Sequence, residues 1–187
     1  MDTWAWIVII AVVVIAVALI AWAASRKRRT NELRERFGPE YDRTMTSDGD
    51  RREAESDLRE RMERHEALNI RPLDPDAADR YRREWRDVQA RFVDAPDESL
   101  SRADGLITEV MQRRGYPMTD FEQRSADLSV EHGDTVQDYR AAHAISMATS
   151  RGQASTEDQR QAMVHYRSLF DEMIGADTEA SDRQVNR

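Results

Sequence analysis

Cysteine is absent from all 187 residues. That excludes disulfides, thiolate nucleophiles and cysteine-based zinc sites. Lysine is nearly absent too, since Lys27 is the only one among 28 lysines and arginines. Beyond it there is no amine for a Schiff base or a P-loop. The seven glycines are scattered, with no Gly-x-Gly and no Gly-x-Ser-x-Gly. A dinucleotide fingerprint and a nucleophile elbow are therefore both excluded. No segment alternates apolar and polar residues in the manner of a strand. Finally, no charge occurs between Asp2 and Arg26.

What fills that uncharged interval is apolar. Eleven Ile, Val or Leu residues lie between Ile7 and Ile20, favouring insertion into hydrocarbon by about 3–6 kcal/mol in sum. Residues 1–25 read as a transmembrane anchor with its span over about 4–23. Some 20 helical residues at 1.5 Å each match the roughly 30 Å of a bilayer core. A helix is required there, because lipid offers the backbone no hydrogen-bond partners. Trp4 and Trp6 mark one interface and Trp22 the other, and Arg26, Lys27, Arg28 and Arg29 follow at once. Tryptophan prefers the headgroup level and positive charge stays on the cytoplasmic side. The expected topology is single-pass, N-terminus out and C-terminal domain cytoplasmic, with the lipid bilayer as one partner. The rival is a cleaved signal peptide at Ala21-Trp22-Ala23, which would put the domain outside the cell. An acidic n-region and a long apolar core oppose it.

Charge is asymmetric. Met1–Arg36 carries +3, six bases against three acids; the whole chain carries -8, which leaves -11 for Phe37–Arg187. A domain that acidic repels phosphate backbones, so no nucleic-acid partner is expected. The mean hydropathy of -0.79, span included, marks the remainder as strongly polar.

The fold class read from the pattern is all-α. The anchor helix continues through Asn31–Phe37 and stops at Gly38-Pro39. Residues 26–71 form a basic juxtamembrane segment, a polar linker over Glu40–Asp50, and a charged helix over Arg51–Leu68. That helix has a thin stripe of Ala54, Leu58, Met62 and His65, and reads as solvated or as a narrow seam. Residues 72–175 form a compact antiparallel bundle of about five helices. Asp74-Pro75-Asp76 and Ala95-Pro96-Asp97 open the first two. Ala78, Tyr81, Trp85, Val88 and Phe92 give one apolar face; Leu100, Ala103, Ile107, Val110 and Met111 give the next. Thr119 with Glu122 and Thr156 with Gln159 have capping-box spacing. Val136, Tyr139, His143 and Met147 form a further face, as do Ala162, His165, Tyr166, Leu169, Phe170 and Met173, before Gly175. Residues 176–187 are polar and read as a disordered tail.

Sites of chemistry are few. His143 and His165 lie on the apolar faces of two helices that pack antiparallel. They are the candidates for a metal or a proton-linked pair, against the ordinary reading as core histidines. No Glu-x-x-His occurs, which weakens a di-iron site. His65-Glu66 begins like a zincin helix but has no second histidine. Asp127, Glu131 and Asp134 around His132 read as caps and surface charge before they read as a cation site. The arginines at 80, 82, 83, 86 and 91 spread around the helix side opposite Trp85 and read as a solvated flank, with an acidic partner or lipid headgroups as the alternatives.

Arg36-Phe-Gly-Pro-Glu-Tyr-Asp-Arg43, Arg91-Phe-Val-Asp94, Gly115-Tyr-Pro117, Asp127-Leu-Ser-Val130, Tyr139-Arg-Ala-Ala-His143 and Ser155-Thr-Glu-Asp-Gln-Arg160 carry a resemblance. Together with Met163–Asp171 they resemble a family of uncharacterised actinobacterial single-span membrane proteins, some described as secreted. The resemblance implies a bacterial cytoplasmic-membrane setting, and no activity, cofactor or catalytic residue comes with it. The function expected is a non-enzymatic adaptor or scaffold that docks another protein and needs no cofactor. The alternatives are an extracytoplasmic envelope protein, or an enzyme or metal binder using His143 and His165.

Overall fold

The computed structural model describes the backbone of residues 3–47 and 49–185, and the side chains of residues 4, 12–25, 27–28, 30–47 and 49–175. The described residues form eight helices and no strand. The chain is all-α.

α1 runs without a break from Thr3 to Phe37. Its described apolar residues from Val12 to Trp22 are exposed, while Leu33 and Phe37, one turn apart near its far end, are buried. Among the described residues no helix is long and apolar enough to cross a membrane. Side chains 5–11 of the expected span, with those of Trp6, Arg26 and Arg29, lie outside the described residues.

Gly38 ends α1 with φ +50, a left-handed position that favours glycine. Its amide donates to the Arg34 carbonyl at 3.0 Å. α2, Pro39–Ser47, begins at once. Pro39 suits this first turn because its missing N–H would have no helical acceptor there. The sequence reading of a linker over Glu40–Asp50 is thus corrected to a helix that buries Glu40, Tyr41 and Thr44. α3, Arg51–Glu66, is capped by Asp50, whose carboxylate accepts from the Arg52 amide at 2.9 Å. Its thin stripe is buried, not solvated. Ala54 and Leu58 pack inward, and Leu33, Phe37, Tyr41, Leu58 and Val130 form a small second core flanked by Met45 and Met62.

The five remaining helices are α4 (Pro75–Arg91), α5 (Pro96–Arg114), α6 (Phe121–Leu128), α7 (Val136–Ser150) and α8 (Thr156–Val185). α5 and α8 are central, each packing against α4, α7 and the other. The expected apolar faces supply most of the core: Tyr81, Trp85, Leu100, Ile107, Met111, Tyr139, Tyr166, Leu169 and Phe170 are all buried, whereas Met147, expected on the α7 face, is exposed. Trp85 stacks on Phe170 at 4.7 Å and 14°.

Helix ends differ from expectation in three places. α6 is capped by Asp120, which accepts from the Gln123 amide, rather than by Thr119. Ser155 and Asp158 close a reciprocal capping box one residue ahead of Thr156 and Gln159. α8 continues past Gly175 to Val185 where a disordered tail was expected, and Gly175 is not among the glycines at positive φ. It therefore provides no left-handed stop.

Candidate functional site

The two histidines singled out by periodicity do not form one site. His143 Nδ1 lies 3.4 Å from Asp104 Oδ1 on α5, and its ring stacks on Phe121 at 3.8 Å and 11°. His165 Nδ1 lies 2.8 Å from Asp138 Oδ1 on α7. Each is half-buried and held by a carboxylate from a different helix. Tyr166 also donates to Asp104. Burial pushes the Asp104 carboxyl up, but the bonds from His143 and Tyr166 outweigh it and hold the group below its usual range. Burial and the neighbouring Asp104 charge raise the Tyr166 phenol, which stays a donor at neutral pH. Among the described residues no group of three or more His, Asp or Glu is placed to hold a metal ion.

Charge converges elsewhere, where α2, α3 and α7 meet. Glu40 is fully buried. Arg140 grips it with both terminal nitrogens, Nη1 to Oε2 at 2.7 Å and Nη2 to Oε1 at 2.9 Å. Arg61 Nη1 donates to Oε1 at 3.0 Å and Gln137 Nε2 to Oε2 at 2.6 Å. Arg43 stands 3.5 Å away. Arg61 and Arg140 are each only 14% exposed at the side chain. A buried carboxylate is tolerable only when both oxygens are met by opposed charge and hydrogen bonds. Glu40 meets that condition with groups 21, 97 and 100 residues away in the chain.

A second carboxylate ties α1 to α3. Glu55 is buried and accepts from Thr30 Oγ1, Arg51 Nε and Arg59 Nη2, each at 3.0 Å. Burial pushes its carboxyl up, yet the bonds from Arg51 and Thr30 and the charges of Arg51 and Arg59 prevail and hold it below the usual range.

At the other end of α3, two further histidines converge. His65 Nε2 lies 3.6 Å from Glu131 Oε1, and His132 Nε2 lies 3.9 Å from Glu131 Oε2. Tyr116 donates to Glu131 Oε2 at 2.9 Å, with Arg114 Nη2 at 3.8 Å. His132 Nδ1 meets Glu172 Oε1 on α8 at 2.6 Å. Both histidines are buried, and neither Nε2 has a hydrogen-bond partner among the described residues. Burial holds the His65 imidazole below its ordinary value, against the pull of Glu131. Nearby, Asp127 is engaged by Gln123 at 2.7 Å and Arg64 at 3.9 Å.

These clusters make a polar junction that fastens α1–α3 to the bundle. His65 was legible as the last member of the α3 stripe. Glu40, Arg61 and Arg140 carried no local signal, because their partners are distant in the chain. Of the expected anchoring residues, Trp4, Trp22, Lys27 and Arg28 are exposed. On α4, Arg82 pairs with Asp79 at 2.9 Å and Arg80 lies 3.8 Å from Glu84. Comparison with protein-family models, with curated proteins and with solved structures finds no match to this chain.

Proposed function

We propose that this chain is a single-pass membrane-anchored adaptor whose helical bundle is held at the cytoplasmic face and docks another protein, without chemistry of its own. One observation carries the reading. The described apolar side chains from Val12 to Trp22 are 53–69% exposed, on the same unbroken helix whose far end is buried in the junction. A helix apolar on every side must be covered, by lipid or by protein. The sequence favours lipid, since tryptophans bracket the apolar stretch and Arg26, Lys27, Arg28 and Arg29 stand directly behind it.

The adaptor role follows from how the anchor is attached. Glu55 ties α1 to α3 and Glu40 ties α2 and α3 to α7, so the bundle rides on the anchor as one piece and not on a slack tether. The resemblance to single-span actinobacterial proteins fits the same setting. The exposed arginine flank of α4 suits a partner with an acidic surface.

Washing membranes with alkaline carbonate tests the anchor: the chain is expected to stay in the pellet, and recovery of a shortened chain in the supernatant would overturn it. A reporter fused after Arg187 tests orientation. It is expected to be active only inside the cell, and activity only outside would favour an envelope protein. Crosslinking in intact membranes is expected to recover a specific protein partner. Stoichiometric metal in the purified protein, lost in a His143→Ala/His165→Ala variant, would instead favour the metal-binding reading.

A further inference from the structure

A groove of about 550 Å³ lies along α1 where it leaves the apolar stretch, walled by Trp22, Lys27, Thr30, Asn31 and Arg34 and closed by Arg51 at the start of α3. We propose that this groove binds the phosphate of an anionic phospholipid, and so gives the anchor a lipid preference; the inference rests on the membrane reading above.

Three features support it. Lys27, Asn31 and Arg34 recur at three- and four-residue steps, so they share one face of α1. Side chains on a helix lean toward its N-terminus. Lys27 therefore reaches back toward Trp22, the level at which an indole settles among headgroups, while Arg34 lies over the Tyr41 ring at 5.2 Å at the far end of the groove.

Arg51 adds a cation from a second helix. Its Nη2 lies 3.4 Å from Thr30 Oγ1 and its Nε donates to Glu55 at 3.0 Å, which fixes the guanidinium against the wall of the groove. Arg51 also occupies the first turn of α3, where the helix dipole adds partial positive charge.

The local balance favours an anion. Glu55 is shared by Arg51 and Arg59, and Asp42 faces Arg34 at 3.4 Å. Lys27, Arg34, Arg51 and Arg59 thus exceed the two carboxylates by two charges. Arg34 and Arg51 remain 63% and 59% exposed at the side chain and open to a ligand. Thr30 and Asn31 add a hydroxyl and an amide of the kind that bond phosphate oxygens. The tryptophan end suits glycerol and the first acyl carbons. A phospholipid matches this sequence of surfaces; a free phosphate uses only the basic end.

The full chain reconstituted in phosphatidylcholine vesicles doped with spin-labelled phosphatidylglycerol tests the groove. Wild type is expected to hold the anionic lipid over labelled phosphatidylcholine. Lys27→Gln and Arg34→Gln are each expected to cut that preference about fivefold, the effect of one interfacial cation. Arg51→Gln is expected to do the same, but it also strips a partner from Glu55, so the other two variants decide the outcome. Arg28→Gln, outside the groove, is expected to change the preference less than about twofold, as screened surface charge does. Equal losses from Arg28→Gln and Lys27→Gln would reduce the groove to diffuse surface charge and overturn it. Displacement of the labelled lipid by millimolar inorganic phosphate would overturn the phospholipid assignment. Chain released by carbonate would sink the anchor and the groove together, whereas chain retained without preference would sink the groove alone.

Discussion

Trp85 and Glu40 are buried to nearly the same depth, 4% and 0% exposed, in two parts of one chain. Around Trp85 the bundle excludes water with aromatic and aliphatic surface, and the stack on Phe170 is its centre. Around Glu40 the junction excludes water with a carboxylate, two guanidiniums and an amide, backed among the described residues by a small cluster of five buried apolar residues. Apolar burial is non-directional and tolerates rearrangement. Buried charge demands its partners, so the junction has a narrow set of geometries and fails abruptly when one member is lost.

The contrast can be broken from either side. Phe170→Ala removes a fully packed ring and is expected to destabilise the whole bundle by about 3–5 kcal/mol, read as a lower urea midpoint for every helix. Glu40→Ala leaves Arg140 buried without its anion and Arg61 with Asp57 alone, at a cost of about 3–5 kcal/mol confined to the junction. Hydrogen exchange is expected to speed up across α1–α3 while α5 and α8 stay protected. Uniform loss of protection in that variant would mean that junction and bundle are one cooperative unit.

Gly133→Ala probes the same seam without touching charge. A Cβ at that turn would stand 2.3 Å from the Phe37 carbonyl oxygen, which is backbone and cannot step aside. The expected cost is about 1–3 kcal/mol, with α1 and α2 released first. The smallest effect is proton-linked. His65 titrates below its ordinary value of 6.5 because burial disfavours the cation. The unfolded chain therefore binds more protons at mildly acid pH, and the contribution of His65 is full above 6.5 and lost as pH falls through the lowered value. Asp104, Glu55 and Glu172 have their carboxyls held low and lose their contributions only in more acid solution. Chemical denaturation between about pH 5 and 7 is expected to show stability rising with pH, and His65→Gln to flatten the slope.

The five bundle helices were legible because their apolar residues recur every three or four positions between proline starts and polar caps. Two of the caps lay one residue from the best local match: Asp120 and Ser155 hold the positions, and spacing alone does not separate a cap from its neighbour. Helix α2 was not legible, since Pro39–Ser47 offers only Tyr41 and Met45 as an apolar pair and otherwise buries Glu40 and Thr44. The site was less legible than the fold. Periodicity put His143 and His165 on buried faces but could not say which carboxylate each would meet. His132 sits in a turn, where no period operates, and its approach to Glu172 depends on how α8 packs against that turn.

The 35 residues of α1 make a rod about 52 Å long, at 1.5 Å per residue. Because it enters the junction unbroken, the azimuth of its apolar end dictates which way the arginine flank of α4 looks. One residue inserted between Ser25 and Thr30 would swing everything beyond it by about 100° and lift it by about 1.5 Å. On the adaptor reading proposed above, a partner fixed in the plane of the membrane would then meet a different side of the protein, although no residue of α4 had been changed.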